Sequence, residues 1–297
     1  MKTVFVTGIS GYIGGTVAIK LREAGHRVLG LVRKEEDETR LRAAGMIPVR
    51  GDLQAAEAIG GAIGQSDAVV HTADSDAPAV TEMFLSFLRG TGKAFIHTSG
   101  SAIVANWADR RAGEFVFTED YPFESRSPFE NRAAIHAAIL RAAVDGVRSV
   151  VMVPGMVYGT GLFIAKESKQ IPFLIRSARK MGKASYIGDG AHRWSHVHVE
   201  DLADLYLAAL REAKPGSVFF AENGSSSFLE IARAIHRELG LAGAPASLTP
   251  AEAKAEWGEL MATVALGSDC RISADKARLF LGWKPHRGPL ENHLALS

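Results

Sequence analysis

Three glycines near the amino terminus form a loop whose spacing suits the binding of a diphosphate. Gly8, Gly11 and Gly14 follow the pattern G-x-x-G-x-x-G between a β-branched stretch and an apolar-periodic one. A tight strand-to-helix turn needs a residue without a Cβ, and a pyrophosphate needs close approach to backbone amides. The next helix adds unpaired N–H groups and a partial positive charge. A tight turn without a ligand is the alternative, but the position after the first strand favours dinucleotide binding. The predicted binding loop consists of Gly8, Ser10, Gly11, Tyr12, Ile13 and Gly14.

The end of the second predicted strand indicates which dinucleotide the loop holds. An acidic side chain there accepts from the 2′-hydroxyl of NAD, whereas a basic one accommodates the 2′-phosphate of NADP. The stretch RVLGLVRK ends in Arg33 and Lys34. Because Glu35, Glu36 and Asp37 follow at once, a solvated charged turn is the alternative interpretation. The pattern favours NADP(H) and leaves NAD(H) open.

Alternating strands and helices must position these residues. Strands are predicted at 3–8 and 27–32, and around Val49, Val69, Phe95 and Val151. Helices are predicted near 40–44, 54–62, 80–89 and 132–144, besides the one that follows the glycine loop. Such alternation predicts an α/β fold with a parallel sheet that helices cover on both faces. After Gly161 the pattern changes to amphipathic helix, short strands and, from Ser227, mainly helix. We therefore expect a dinucleotide-binding domain over 1–160 and a substrate-binding lobe over 161–297.

Composition excludes several classes of protein. The 297 residues are 47% hydrophobic and 23% charged, as in ordinary globular chains, and the net charge of +1 argues against a nucleic-acid-binding surface. The single cysteine, Cys270, excludes an intramolecular disulfide and a cysteine-rich zinc site. No G-x-S-x-G hydrolase motif occurs. No apolar run approaches the ~20 residues that span a bilayer, and the polar residues of the amino terminus do not suit a signal peptide. A cytoplasmic protein without a membrane partner is the resulting expectation.

Seven segments, in their order and spacing, carry a family resemblance. They are TGISGYIG at 7–14, GDL at 51–53, VHTA at 70–73, IHTSGS at 96–101, PGMVYG at 154–159, SHVHVEDLA at 195–203 and ISADKARLFLGWKP at 272–285. In these segments the chain resembles the short-chain dehydrogenase/reductase superfamily, in its extended or atypical branch (the NAD-dependent epimerase/dehydratase type). The resemblance covers nearly the whole chain.

The resemblance implies a fold, a set of cofactor contacts and a class of substrate. The fold is a Rossmann-type doubly wound parallel sheet with a smaller C-terminal α/β substrate lobe, in which residues 195–220 return to the first domain. A small-molecule substrate is implied, and a homodimer is allowed although no residue pattern indicates one. Further cofactor contacts are implied for Asp52, Leu53, His71, Thr72, Ala73, Pro154 and Val157.

The chain departs from the family at its catalytic signature. That signature is a Tyr followed four residues later by a Lys, in which the Lys lowers the pKa of the Tyr and holds the ribose. Here the Tyr position falls near Pro128 and the Lys position near Arg132, and no Tyr-x-x-x-Lys occurs nearby. The family's Ser or Thr after the fifth strand is also blurred, because Gly100 occupies that position between Ser99 and Ser101. The standard triad is therefore absent.

Other residues are candidates for the missing chemistry. A hydroxyl just after the fifth strand could bind a substrate carbonyl, although a turn-stabilising role suits it equally. Arg132 could keep the ribose contact of the missing Lys, or lie on the helix surface. Tyr121, Tyr158 and His136 are the candidate proton donors. His136, one turn later on the same helix face, is interpreted as a structural or surface residue and not as an acid, and the tyrosines are interpreted as packing or pocket-shaping residues. The predicted catalytic set is Ser99, Ser101, Tyr121, Arg132 and Tyr158.

Three histidines near residue 195 suggest a metal site that we do not predict. His196 and His198 alternate along one strand and face the same way, and His192 is close in sequence. No carboxylate is clearly arranged with them, and the family resemblance explains the segment without a metal. The expectation is no metal ion.

Three functions follow from these observations. The favoured one is an NADP(H)-dependent oxidoreductase that acts on a small organic carbonyl, imine or related group through a non-standard active site. The second is a catalytically weak NADP(H)-binding sensor or scaffold that has lost turnover with the triad. The third, an NAD-dependent nucleotide-sugar epimerase or dehydratase, is disfavoured because that chemistry depends on the absent Tyr-Lys pair.

Overall fold

The computed structural model describes residues 1–105, 115–121 and 129–294 of the chain. Within them, seven strands form one parallel sheet: β1 Thr3–Thr7, β2 Arg27–Val32, β3 Ile47–Arg50, β4 Ala68–His71, β5 Ala94–Thr98, β6 Arg148–Pro154 and β10 Ser217–Ala221. Their order across the sheet is β10-β6-β5-β4-β1-β2-β3. The β1, β4, β5 and β6 strands are almost wholly buried, which explains why their sequences lack polar alternation. The predicted α/β fold with a parallel sheet is confirmed.

Helices cover both faces of this sheet. They are α1 Tyr12–Glu23, α2 Glu35–Ala43, α3 Ala56–Gly64, α4 Pro78–Leu88, α5 Glu130–Arg141 and α7 Val199–Glu212. One apolar layer, which includes Phe84 and Ile139, packs on one face. The other, which includes Val17 and Leu205, packs on the opposite face. Two covered faces are what a doubly wound parallel sheet requires.

The helix after the second strand starts earlier than the sequence pattern predicts. It was expected near 40–44, whereas α2 begins at Glu35, in the segment that the alternative interpretation assigned to a charged turn. Glu35, Glu36, Asp37 and Glu38 all lie in its first turn. Negative side chains at a helix amino terminus are stabilised by the macrodipole, so this acidic run favours the start of a helix.

The remaining elements build smaller sheets beside the carboxyl edge of the main sheet. β7 Met156–Tyr158, β9 Arg193–His198 and β11 Ser225–Ser227 form one, and β8 Ser185–Ile187 and β12 Ala246–Leu248 form another. They are accompanied by α6 Gln170–Met181, α8 Phe228–Glu238, α9 Pro250–Trp257 and α10 Asp275–Leu281, and by a π-helical turn over Met261–Ala265. Capping boxes fix the starts of α8 and α9, from Ser227 to Glu230 and from Thr249 to Glu252.

The chain crosses back to the main sheet after β9. Helix α7 packs against α1, and β10 pairs with β6 in parallel register from Ser217 to Ala221. Further along, Trp283 is buried and donates its indole N–H to the carbonyl of Asp201. Among the residues described, no helix is both long and apolar enough to cross a membrane.

Candidate active site

The glycine loop is closely packed at the carboxyl end of β1. Gly8 has φ of +73°, a backbone conformation that L side chains rarely adopt. A Cβ on Gly8 would lie 2.6 Å from Thr72 Oγ1, and a Cβ on Gly14 would lie 2.4 Å from the Gly8 carbonyl oxygen. Gly11 is the N-cap of α1 and brings no side chain to cap the first-turn amides. Those amides stay available to a diphosphate, so the loop fits the group that its sequence predicts.

A cleft of about 700 Å³ runs from this loop along the ends of β2, β3 and β4. Of the predicted cofactor residues, it is lined by Gly8, Ser10, Gly11, Arg33, Lys34, Asp52, Leu53, Thr72 and Ala73. Sequence reasoning did not assign several further lining residues to the site: Leu31, Val32, Glu36, Asp37, Arg40, Gly51, Gln54, Asp74 and Ile164. This size and shape suit an extended nucleotide.

The end of the cleft at β2 carries three cations and one buried carboxylate. Arg33, Lys34 and Arg40 are exposed, and Arg33 forms no ion pair with any residue that the structure describes. Asp37 is 8% exposed, accepts a 2.9 Å hydrogen bond from Ser10 Oγ and lies 3.6 Å from Arg40 Nη1. The carboxylate is thus already occupied by a hydroxyl and a guanidinium, whereas Arg33 is free to meet a phosphate.

The other predicted cofactor residues support the cleft from behind or lie further along the sheet edge. Tyr12 Oη donates to the Gly159 carbonyl at 2.7 Å, and Ile13 packs in the apolar layer together with Val157. His71 is fully buried, and its Nδ1 lies 2.6 Å from Thr7 Oγ1. Pro154 ends β6, next to β5 in the sheet.

A buried polar chain begins where β5 ends. The two atoms Ser99 Oγ and His136 Nε2 lie 2.7 Å apart, and these side chains are 8% and 1% exposed. Burial, with a smaller contribution from the nearby charge of Arg132, lowers the pKa of His136 to about 4. The imidazole is therefore neutral near pH 7 and can exchange a proton with the Ser99 hydroxyl.

Arg132 lies one helical turn before His136 and is held by a carboxylate. Its Nε and Nη2 donate to Asp76 Oδ1 and Oδ2 at 2.9 and 2.6 Å, and its guanidinium stacks 4.3 Å above the Phe129 ring. Only 7% of Arg132 is exposed. A Cβ on Gly100 would lie 3.6 Å from Arg132 Nη1, so the guanidinium lies beside the Ser99–Gly100 segment. The structure thus brings Ser99 and Arg132, two predicted catalytic residues, into one cluster.

The comparison with known proteins identifies the family. The model of the NAD dependent epimerase/dehydratase family matches residues 4–220, which is more than half of the chain. This chain belongs to the NAD dependent epimerase/dehydratase family. It is an NAD(P)-dependent enzyme of the extended short-chain dehydrogenase/reductase type, as the motifs suggested.

Relatives of this epimerase/dehydratase family member align over nearly its whole length. An uncharacterised protein of Schizosaccharomyces pombe is 33% identical, over 98% of both chains. A 4-hydroxy-2-methyl-3-oxo-4-farnesyl-3,4-dihydroquinoline-1-oxide ketoreductase of Stigmatella aurantiaca is 26% identical, over 95% of this chain and 92% of that one. Among solved structures, dTDP-glucose 4,6-dehydratase of Bacillus anthracis in complex with NAD superposes with a TM-score of 0.78 at 18% identity, covering 99% and 96% of the two chains. The structural likeness shows the Rossmann-type fold.

The other candidate catalytic residues of this family member, Ser101, Tyr121 and Tyr158, each have different surroundings. Ser101 is 1% exposed, and its hydroxyl has no hydrogen-bond partner in the described part of the chain. Tyr121 packs edge-on against Phe115 and Phe117. Tyr158 is buried and donates its hydroxyl to the Gly288 carbonyl at 2.5 Å, and burial raises its pKa. Pro128, the expected Tyr position, lies outside the described residues.

The histidines of β9 are engaged by protein groups. His196 Nε2 lies 2.9 Å from Ser226 Oγ, and His198 Nδ1 accepts from the Glu200 amide at 3.2 Å. Tyr158 stands edge-on to both rings, so they face the same side of the strand as predicted. Elsewhere in the described chain, Asp201, Asp204 and His286 place ligand atoms within 4.8 Å of one another. The Asp201 carboxylate already accepts from the backbone amides of His286 and Arg287.

Sequence reasoning missed Asp76 and underrated His136. Asp76 follows β4 in a stretch of polar residues, and nothing in its spacing connects it with a helix 56 residues later. His136 carried one usable signal, because it lies four residues after Arg132 on one helix face. One interpretation of the sequence places Arg132 and His136 at the helix surface, yet both are buried, together with Ile135 and Ile139.

Proposed function

We propose that this family member is an NADP(H)-dependent oxidoreductase that acts on a small organic carbonyl, imine or related group. Membership of the family supplies the nicotinamide-dependent reaction class. The ketoreductase relative, which aligns over 95% of this chain, favours carbonyl chemistry over sugar dehydration. The absence of Tyr-x-x-x-Lys from the α5 sequence also weighs against the epimerases and dehydratases that depend on that pair.

The observation that carries the cofactor choice is the charge at the end of β2. Arg33 and Lys34 occupy the positions where an acid would accept from the ribose of NAD, and Arg40 adds a third cation from α2. The nearest buried carboxylate, Asp37, is bound by Ser10 and Arg40. A 2′-phosphate there would gain charge-assisted hydrogen bonds from the cations, whereas a 2′-hydroxyl would have to share the Asp37 carboxylate with Ser10 and Arg40.

Each part of the cofactor has residues that would hold it. The amides of the glycine loop would bind the diphosphate. The cations at the end of β2 would bind the 2′-phosphate, and Asp52 and Leu53 would contact the adenine. When bound, the nicotinamide exchanges a hydride with the substrate carbon. The protein must orient the substrate, exchange a proton with its oxygen and exclude water. The Ser99 hydroxyl, at the carboxyl edge where ligands bind to such sheets, would make the contact with that oxygen.

Fluorescence titration with NADPH and NADH tests the cofactor choice. We expect tighter binding of NADPH, and a loss of about tenfold or more in its affinity for Arg33→Ala, since one charge-assisted hydrogen bond contributes ~1.5–3 kcal/mol. NADH affinity should stay unchanged in that variant. Arg27→Ala is the matched control, because Arg27 is exposed at the opposite end of the same strand. Equal affinity for the two dinucleotides, or an NADH loss in Asp37→Asn, would support NAD instead.

Turnover is tested by following NADPH oxidation across a panel of ketones, aldehydes and imines. The proposal predicts that at least one class of compound supports oxidation above the rate without substrate. A protein that binds NADPH and oxidises none of it across the panel would instead support the sensor function.

A further inference from the structure

A buried polar cluster behind the candidate active site joins three elements. Ser99 comes from the end of β5, His136 from α5, and Asp76 from the segment between β4 and α4. The cluster holds two hydrogen-bonded pairs, Ser99 with His136 at 2.7 Å and, one turn earlier on α5, Arg132 with Asp76 at 2.6 Å. Ser99, Arg132 and His136 are each less than 9% exposed. Burial of a hydroxyl, an imidazole and a guanidinium together is costly unless they are paired, and here each is paired.

The spacing on α5 resembles the missing signature with its two roles exchanged. The signature places a cation four residues after a titratable side chain. In this chain the cation, Arg132, is at the Lys position, and a titratable side chain, His136, follows it by four residues. Four residues bring both side chains to one helix face, so the pairing of a cation with a titratable group is kept one turn further along.

We propose that Ser99 and His136 are the proton relay of this enzyme, in which Ser99 contacts the substrate oxygen and His136 exchanges a proton with Ser99 from behind. The relay rests on the proposed function, because it supplies the proton that the oxidoreductase reaction needs.

The proton balance of the relay is complete in both directions. In alcohol oxidation the substrate O–H bond breaks and its proton moves to Ser99 Oγ, while the Ser99 proton moves to His136 Nε2. The neutral imidazole becomes an imidazolium, and after the product leaves it returns that proton through Ser99 Oγ to water in the open site. In carbonyl reduction the imidazolium returns the proton to Ser99, and the Ser99 hydroxyl protonates the substrate oxygen as the hydride reaches carbon.

The charges around His136 set the direction in which the relay works best. Arg132 faces it from the same helix, Asp76 faces it from the segment after β4, and the buried His97 lies nearby on β5. The pKa of about 4 leaves a neutral base near pH 7, which suits proton removal in alcohol oxidation. For carbonyl reduction the imidazolium must form first, so we expect the reduction rate to rise as the pH falls from 8 towards 5.

The experiment compares kcat, NADPH affinity and pH profiles for the wild type and four variants. In Ser99→Ala we expect kcat to fall about 100-fold or more, as for loss of a general acid–base group, with NADPH affinity unchanged. Ser99→Thr should keep most of the activity because the hydroxyl remains. His136→Gln should lose kcat and also the acid-dependent rise in reduction. Ser149→Ala, which removes the hydroxyl of a buried serine on β6, is the matched control and should behave as wild type.

The outcomes separate the relay from the proposed function. If the wild type oxidises NADPH and Ser99→Ala keeps kcat within about threefold, the relay is wrong and the oxidoreductase function stands. If the wild type binds NADPH and no ketone, aldehyde or imine of the panel supports its oxidation, both proposals are wrong. If His136→Gln does not fold, the kcat of Ser99→Ala alone tests the relay, because that substitution removes only one oxygen atom and should leave the packing intact. A purely structural role for His136 would lower stability without altering the pH profile of the folded enzyme.

Discussion

At the scale of single residues, the glycine loop depends on the absence of two side chains. Gly14 is the stricter position, because a Cβ there would meet a carbonyl oxygen of the backbone at 2.4 Å and Thr72 Oγ1 at 2.3 Å. A flexible side chain can move away from a new methyl group, but the Gly8 carbonyl is fixed by the turn. The loop would have to open, and with it the arrangement of amides that a diphosphate needs.

We therefore predict that Gly14→Ala weakens NADPH binding about tenfold or more, since overpacking costs ~1–3 kcal/mol. The measurement is fluorescence titration of the folded variant. Gly61→Ala is the matched control, because Gly61 is in α3 and nothing lies within 4 Å of its added Cβ. It should bind as wild type and be more stable by ~0.5–1 kcal/mol, since Ala is the better helix former. Unchanged affinity in Gly14→Ala would contradict the assignment of the loop.

The glycine loop could be predicted from the sequence, whereas the contact between Ser99 and His136 could not. Gly8 and Gly14 were predictable because the constraint on them is local, a turn between adjacent elements. Ser99 and His136 were both singled out as residues, but their 2.7 Å contact joins positions 37 residues apart. That contact depends on how α5 packs on the sheet. The helical period predicts which residues of α5 share a face, but not which residues of the sheet that face contacts. Asp76 had no local signal at all.

At the scale of elements, the connection after β7 packs directly over the cofactor loop. We call residues 159–164 the clamp segment. Tyr12 Oη donates to Gly159, the Leu162 amide donates to Thr16 Oγ1 at 3.1 Å, and a Cβ on Gly15 would lie 3.0 Å from Phe163 Cβ. Ile164 also lines the cleft. The clamp segment thus ties the substrate side of the chain to the start of α1.

We expect Tyr12→Phe to release the clamp segment and speed the dissociation of NADPH severalfold, which stopped-flow displacement would measure. The lost hydrogen bond contributes ~0.5–1.5 kcal/mol, and the equivalent factor is about 2- to 13-fold. Global stability should fall by no more than the same amount. Tyr186→Phe is the control, since Tyr186 is a partly buried tyrosine of β8 in the other apolar layer. Equal dissociation rates in both variants would show that the clamp segment does not retain the cofactor.

Elements of the main sheet were predictable, and those around it were less so. Runs such as AVVH and AFIHT are buried over every residue, and the composition alone indicates strands. Strand β12 has three residues and is stabilised by pairing with β8, a partner more than 50 residues away. Such a strand forms because it pairs with its partner, so the β-propensity of residues 246–248 does not predict it.

Across the molecule, three buried neutral histidines form a row, two of them in strands of the main sheet and one on the helix that packs beside it. His71 and His97 are adjacent across β4 and β5, with ring centroids 5.3 Å apart, and His136 packs nearby from α5. Burial lowers the pKa of His71 and of His136 to about 4, and holds that of His97 well below its usual value. Each ring must therefore be neutral for the fold to hold, which links folding to protons.

The sign of this linkage predicts a loss of stability in acid. Between pH 6.5 and about 4 the unfolded chain binds protons on these histidines and the folded chain does not, so stability is fully present above pH 6.5 and falls as the pH drops towards 4. A shift of that size contributes about 3 kcal/mol each for His71 and His136. The carboxylates Glu230 and Glu252 have pKa values lowered below 4.5, so they add to the loss only at still lower pH.

Denaturant unfolding measured at pH 7.5, 6.5, 5.5 and 5.0 checks this prediction, since the carboxylates contribute little over that range. Wild-type stability should be constant between the first two values and fall at the last two. His136→Gln removes one of the buried imidazoles, so it should lose less stability between pH 6.5 and 5.0 than the wild type, even if it starts lower. Ser149→Ala changes a buried side chain that carries no titratable group, so its loss of stability over this pH range should match that of the wild type. A flat wild-type profile down to pH 5.0 would mean that water or rearrangement admits the charged rings, and that the histidine row is not the acid-sensitive part of the fold.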